Sequence, residues 1–387
     1  MNRRAFVVVI DACGAGELPD AAEYGDAGAN TLAHLAEAVG GLDLPVLGSL
    51  GLGNILALEG VPAVEHPSLH GRLRPLGPGK DSSTGHWELM GVSVATAPPT
   101  FPDGIPEGIL GLVAEIFGAR SICNRAYDGV AAIDDFGSEH LASGGPILYT
   151  SQDSVLQLAA HIGVFDELAL HAACERLRAR LSGPDAVRRV IARPFEGAPG
   201  AFERTLGRRD YTLPPPAQSH LSLLAQAGVE VHGVGKVAAL FESDSFSAEH
   251  PGATNVEAIE SVGRLIGELD AGFVFANLIE TDQRYGHRHD VEGFHDALRQ
   301  IDAALAGWLD VLEERDLLII TADHGCDPAA PHTDHTREHA PLLARFTGHG
   351  GRRHDGPMAD VGSSVLDWLT GAERSGLPGR SFISSDA

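Results

Sequence analysis

The sequence predicts an α/β protein: a mainly parallel sheet covered by helices on both faces, with a smaller α+β domain inserted into the chain. Three observations lead there. Short apolar, β-branched runs alternate with longer segments of helical periodicity, the pattern of strands joined by crossover helices. Three of these runs lead into an aspartate, at Asp11, Asp282 and Asp323, as carboxyl ends of strands in open α/β sheets commonly do at a ligand site. Finally, Pro98, Pro99, Pro102 and Pro106 open a segment of different composition that closes at Pro214-Pro215-Pro216, a stiff linker. The boundaries that follow are residues 1–97 for the first part of the core, 98–216 for the inserted domain and 217–387 for the second part of the core.

The first strand is Phe6 to Ile10. Arg3-Arg4 precede it, but the apolar run is too short for a signal peptide and ends at Asp11. Asn30-Thr31 reads as a helix start leading into Leu32 to Val39. Gly48 to Gly53 reads as a glycine-punctuated loop, and Gly79 to Glu88 (GKDSSTGHWE) as a polar turn crowded with hydroxyls. In the inserted domain Ile147 to Thr150 and Val187 to Ala192 read as strands. Asp153 to His161 and Asp166 to Leu181 read as helices, and an arginine cluster follows at Arg193, Arg204, Arg208 and Arg209.

The βα pattern then resumes. Val229 to Val234 is a strand ending at Gly235-Lys236, Asn255 to Leu269 a helix, and Phe273 to Ile279 a strand running into Glu280-Thr281-Asp282. A long helix lies within Asp290 to Glu314. The strand Leu317 to Thr321 runs into Asp323-His324-Gly325, and a helix near Asp360 to Thr370 completes the series.

Composition bounds the function. With 387 residues, 43% apolar and 21% charged, the chain can bury a large core, and its formal net charge of -25 repels nucleic acid and anionic membranes. The expectation is therefore a cytoplasmic protein with small-molecule partners, no nucleic acid and no membrane association. Cys13, Cys123, Cys174 and Cys326 are scattered without CxxC pairing, which suits a reducing compartment. Lys80 and Lys236 are the only lysines, and each follows a glycine, as a compact ammonium at a phosphate site would. On so acidic a chain the arginine cluster is either a solvated face or a phosphate clamp.

If the strands are parallel, Asp11, Asp282 and Asp323 converge on one sheet edge, with His287, His324 and His335 close by in sequence. Oxygen and imidazole donors without a thiolate among them suit a pair of divalent ions, Mn2+ first, with Zn2+ or Mg2+ as alternatives. Two such ions about 4 Å apart can clamp a phosphoryl group. A hydroxyl nucleophile completes that chemistry. Thr84 is the candidate, with Ser82 and Ser83 as competitors that spacing alone does not rank.

The chain also resembles the bacterial phosphopentomutases of the alkaline phosphatase superfamily. The resemblance is carried by DACGAGELPDAAEYGDAGANT from Asp11, GLGNI from Gly51, GKDSSTGHWE from Gly79, YTSQDSVLQLAAH from Tyr149 and ARPFEGAPGAFERT from Ala192. It continues in RRDY from Arg208, VGKV from Val234, TDQRYGHR from Thr281, ITADHGCDP from Ile320 and TDHTRE from Thr333. It implies an alkaline-phosphatase-like core with an inserted cap that closes over the substrate, and it selects Thr84 as the phosphorylated hydroxyl. One Mn2+ would be held by Asp11, Asp323 and His324, the other by Asp282, His287 and His335. The family's ribose-phosphate contacts would fall on Ser151, Asp153, Arg193, Arg204 and Lys236. The implied reaction interconverts α-D-ribose 1-phosphate and ribose 5-phosphate, and the deoxyribose pair, primed by a sugar 1,6-bisphosphate.

The chain departs from that family's pattern at Asn124 to Val130, at Glu280 for the usual aspartate, at Cys326 for asparagine and at His332 for glycine. The rival readings are a metal-dependent phosphatase or phosphodiesterase, another mutase of the superfamily acting on a different substrate, and a non-catalytic sugar-phosphate binding protein.

Overall fold

The computed structural model describes residues 2–151, 154–241, 245–348, 350–372 and 375–383. The chain divides into two compact units, Met1–Thr96 with Pro215–Ala387, and Ala97–Pro214. In chain order, the first unit contributes strands β1 (Arg4–Ile10) and β2 (Leu69–Arg74). The second contributes β3 (Ile122–Ala126), β4 (Ile147–Thr150), β5 (Val155–His161), β6 (Arg189–Ala198), β7 (Ala201–Arg204) and β8 (Arg209–Thr212). The first unit resumes with β9 (Val231–Val234), β10 (Ala248–His250), β11 (Gly272–Leu278), β12 (Asp316–Thr321), β13 (Ala340–Arg345) and β14 (Gly356–Pro357).

In the larger unit the strands form an eight-stranded sheet in the order β10-β9-β11-β1-β12-β13-β2-β14. Its centre is parallel: β1 lies between β11 and β12, pairing Ile10 with Leu278 and Val9 with Thr321. The three strands are buried along their whole length, which is why RAFVVVI, GFVFANL and DLLIIT read as nearly unbroken apolar runs. The register brings their carboxyl ends level to within about one residue, roughly 3 Å along the strand. Asp11, Asp282 and Asp323 all follow from these ends.

Two groups of helices cover the sheet. Thr31–Val39, Pro45–Leu50, Asn255–Glu268 and Val291–Val311 pack among themselves, as do Ser82–Leu89, His220–Gln226, Val237–Phe241 and Asp360–Thr370. At the opposite end of β1, Arg4 makes a buried two-pronged ion pair with Asp316, Nε to Oδ1 at 2.7 Å and Nη2 to Oδ2 at 2.6 Å, and also donates to the carbonyl of Ile266. Each nitrogen of that guanidinium group has an acceptor, which is the condition for burying it.

The smaller unit is a six-stranded mixed sheet, β3-β4-β5-β6-β7 with β8 on β6. Side-chain alternation divides its core in two. Leu148, Leu156, Leu158 and Val190 face the helices Glu107–Phe117 and Glu167–Arg180, while Ile147, Tyr149, Ala159 and Phe195 face the helix Gly129–Ser143.

Three local expectations are corrected. Of the segment expected as a helix from Asp153 to His161, Asp153 lies outside the described residues and Val155–His161 is the strand β5, parallel to β6 and antiparallel to β4. Helices cover both faces of this strand, so VLQLAA is apolar on both faces except at Gln157, and its periodicity does not separate helix from strand. The expected loop from Gly48 to Gly53 holds the short helices Pro45–Leu50 and Leu52–Ile55, with Gly51 at φ 112° terminating the first; the glycine marks a helix end, not the absence of one. The expected polar turn at Gly79 to Glu88 is a helix from Ser82 onward. The antiparallel additions β2 and β13 were not foreseen, because LHGRLR carries no clean alternation.

Candidate metal centre

Asp11 follows β1 directly, and Asp323 follows β12 after one residue. Asp282 lies in a single π-helical turn, Thr281–Tyr285, a backbone form often found at functional sites. Ligand atoms of Asp11, Asp323 and His324 lie within 4.8 Å of one another, as do those of Asp282, His324 and His335, and those of Asp282, His287 and Cys326. His324 Nε2 is 3.4 Å from Asp11 Oδ1 and 3.4 Å from Asp323 Oδ2. Asp282 Oδ1 faces two imidazoles, His335 Nε2 at 3.2 Å and His287 Nε2 at 3.4 Å. The His324 and His335 rings stack at 3.9 Å, which joins the two halves of the cluster. His287 is half-buried; the other five are buried.

Asp11 Oδ1, Asp282 Oδ1 and Asp323 Oδ2 are buried yet accept no hydrogen bond. An ionised oxygen left this way costs several kcal/mol unless something positive faces it. Burial and the neighbouring Asp323 carboxylate push the Asp11 carboxyl well above the usual range, only partly offset by Lys236. Burial also opposes charge on Asp282, but the imidazoles of His335, His287 and His324 outweigh it and hold that carboxyl low. Asp323 is likewise held low against its burial by His324 and His86. Burial lowers the His324 imidazole to about 4, so its ring is a neutral donor near neutral pH. His287 Nδ1 lies 2.6 Å from the Thr333 carbonyl, and His324 Nδ1 lies 3.1 Å from that of Gly325, which leaves each Nε2 facing the carboxylates. Buried carboxylate oxygens that accept no hydrogen bond, beside imidazole nitrogens, are what divalent cations require, and the residues fit them.

Thr84 sits in the first turn of the helix Ser82–Leu89, capped by Asp81. Its neighbours join that turn to the cluster. Ser82 Oγ is 3.2 Å from His324 Nε2, and His86 Nδ1 is 3.2 Å from Asp323 Oδ2. A Cβ on Gly85 would come within 2.3 Å of the Asp323 carbonyl, so only glycine lets the helix approach this closely. A Cβ on Gly79 would likewise strike Thr84 itself.

Lys236, foreseen as a sugar-phosphate contact, lies in the cluster, its ammonium paired with Asp11 and 3.1 Å from Ser82 Oγ. Burial disfavours that charge, but the carboxylates of Asp11, Asp323 and Asp282 more than restore it. Lys80, the other lysine, pairs with Asp26 at 3.0 Å and faces Asp334 at 3.6 Å. Asp26 also takes His332 Nε2 at 3.0 Å, so this histidine is drawn to Asp26, while Cys326, the other departure beside the cluster, is not. In the smaller unit Arg193 donates to Gln157 Oε1 at 2.7 Å, and Arg204 is exposed. Arg208 is tied to Asp210, and Arg209 lies over the Tyr211 ring. Ser151 is half-buried, and Asp153 lies outside the described residues.

Two contributors went unnoticed in the sequence. Asn277 donates through Nδ2 to Asp11 Oδ2 at 3.1 Å and to His86 Nε2 at 3.3 Å, so one amide orients groups beside both Asp11 and Asp323. The signal was present: Asn277 is the lone polar side chain in a fully buried strand, and His86 belongs to the quoted GHWE stretch.

The sheet and its carboxylate–imidazole cluster define a metal-dependent enzyme, and the family model described as the Metalloenzyme superfamily matches residues 3–371. A phosphopentomutase of Anaeromyxobacter sp. (strain K) is 45% identical over 373 residues, covering 95% of this chain and 96% of that protein. One of Dictyoglomus thermophilum is 41% identical over 389 residues, covering 99% and 98%. The chain belongs to the phosphopentomutase family and is a metal-dependent mutase, an isomerase. In fold it is similar to a solved protein of Pyrococcus horikoshii at a TM-score of 0.50 and 14% identity, covering 97% of this chain and 99% of that one.

Proposed function

We propose that this protein interconverts α-D-ribose 1-phosphate and D-ribose 5-phosphate, and the 2-deoxyribose pair, through a phosphorylated Thr84. Asp11, Asp323 and His324 hold one Mn2+ and Asp282, His287 and His335 the other, with Zn2+ or Mg2+ as alternatives. The observation that supports this most is the meeting of Asp11, Asp282 and Asp323, from three distant stretches, beside the helix that carries Thr84. The cations, when bound, neutralise charge on the phosphoryl oxygens and favour an alkoxide.

The chain's own residues do the rest. The first-turn amides of the Ser82–Leu89 helix favour an anionic group on Thr84. Lys236 adds a positive charge beside Asp11 and Ser82. Phosphothreonine 84 gives its phosphoryl group to the free sugar hydroxyl: the Thr84 O–P bond breaks, a sugar O–P bond forms, and the sugar becomes a bisphosphate. The phosphoryl group at its other end then returns to Thr84, so phosphate is conserved and the enzyme is regenerated. A sugar 1,6-bisphosphate primes the first cycle. Ser151, Asp153, Arg193 and Arg204 bind the sugar phosphate, with guanidinium groups suited to its oxygens. The protein works in the cytoplasm, a reading supported by its four free cysteines. Among the described residues no helix is long and apolar enough to cross a membrane.

The test supplies ribose 1-phosphate, Mn2+ and a trace of sugar bisphosphate, and follows ribose 5-phosphate against free phosphate. Ribose 5-phosphate should dominate, and Thr84→Ala should abolish it. Free phosphate as the main product would replace the mutase reading with a hydrolase.

A further inference from the structure

Cys326 is the side chain beside the cluster that the reaction above does not use. Its buried Sγ lies within 4.8 Å of ligand atoms of both Asp282 and His287. A second feature of the same place is Asp282 Oδ1, which is buried, without a hydrogen-bond partner, and 3.4 Å from His287 Nε2 and 3.2 Å from His335 Nε2. The thiol is held there by its backbone: Cys326 N–H donates to Thr31 Oγ1 at 3.1 Å. Gly286 lies against it, where an added Cβ would come 3.1 Å from Sγ, so the segment between Asp282 and His287 passes close to the sulfur. The thiol's own hydrogen bond is weak, 3.7 Å to the Asp334 carbonyl, and little is lost by giving it up.

We propose that Cys326 Sγ is a ligand of the cation held by Asp282, His287 and His335. The inference rests on the metal assignment made above. Ligation breaks the S–H bond, releases the proton to solvent and forms a sulfur–metal bond. One half of the centre then offers oxygen, nitrogen and sulfur donors, while the half built on Asp11, Asp323 and His324 offers only oxygen and nitrogen. Soft thiolate ligands select Zn2+ and similar ions over Mn2+, so the two halves differ in metal preference. His332 makes no such contribution, because Asp26 engages it.

The test strips the full-length protein of metal and reloads it with Co2+, counting bound cobalt while recording the spectrum. A near-ultraviolet sulfur-to-cobalt charge-transfer band should appear with one of the two equivalents. It should vanish in both Cys326→Ser and Cys326→Asn, each still binding two Co2+. Zn2+ should displace Mn2+ from this half about tenfold less well in Cys326→Asn than in the parent. Two bound Co2+ without the band, or a band that persists in both variants, overturns the inference and leaves the metal centre standing. Failure of the parent to bind a second Co2+ overturns the metal assignment and the inference together.

Discussion

Asp81 holds Thr84 by two hydrogen bonds. Its Oδ1 accepts the Thr84 backbone N–H at 3.1 Å, and its Oδ2 accepts the Oγ1–H at 2.6 Å. One carboxylate therefore starts the helix and aims the hydroxyl, so the fold of this turn and the orientation of the nucleophile share a cause.

Replacing Asp81 separates the two effects. Asp81→Ala removes the cap and should cost about 1 kcal/mol of stability, measured by urea unfolding. Asp81→Asn keeps an acceptor for the N–H but can leave Oγ1 without its carboxylate partner. That variant should unfold near the parent midpoint while phosphorylation of Thr84, followed by mass spectrometry, slows about a hundredfold. Equal losses of stability and rate in both variants would mean that Asp81 only caps.

Asn277 orients Asp11 without being positioned as a ligand. Asn277→Ala should weaken divalent-metal affinity about ten- to a hundredfold, because groups that orient ligands carry effects of that size. Titrating the metal-free variant with Mn2+ measures it. Unchanged affinity would reduce Asn277 to a packing role.

Removing metal should loosen the fold as well as stop turnover. Buried carboxylate oxygens without donors repel one another when no cation faces them. Metal present at a hundredfold its dissociation constant should add about 2.7 kcal/mol per site to unfolding. Chelation should lower the urea midpoint accordingly, and added Mn2+ should restore it. An unfolding curve indifferent to chelator would count against cation binding in this cluster.

Acid should weaken the larger unit through His220, far in sequence from the metal cluster. The ring packs against Gly91 and Gly362, donates to or accepts from Ser375 Oγ at 2.9 Å, and has Asp360 as its opposing charge. Burial lowers its pKa to about 4, opposed by the Met90 backbone and by Asp360. Between about pH 6.5 and 4 the unfolded chain therefore takes up a proton that the folded one refuses, and stability falls as the pH drops. This site should account for about 3 kcal/mol across that range. Urea unfolding of the metal-free protein at stepped pH, compared with His220→Asn, isolates the contribution; identical pH slopes in the two would refute it.

The sequence alone was enough to place the strands Arg4–Ile10, Gly272–Leu278 and Asp316–Thr321 and the helices Thr31–Val39, Asn255–Glu268 and Asp360–Thr370, each to within a few residues. Those elements announce themselves locally, because burial on both faces or on one stripe leaves a period in the residues themselves. The run through Val155 has no such period, and its pairing with Ile147–Thr150 on one side and Arg189–Ala198 on the other makes it a strand. Asp11, Asp282 and Asp323 were legible as candidates because each follows an apolar run. That they stand level was decided by the register of three strands, a relation between residues some 270 to 310 positions apart. The same holds for Lys236 beside Asp11, Asn277 between Asp11 and His86, and Cys326 beside Asp282. Periodicity records what each residue faces, whereas contacts across the sheet exist only once the whole core has packed.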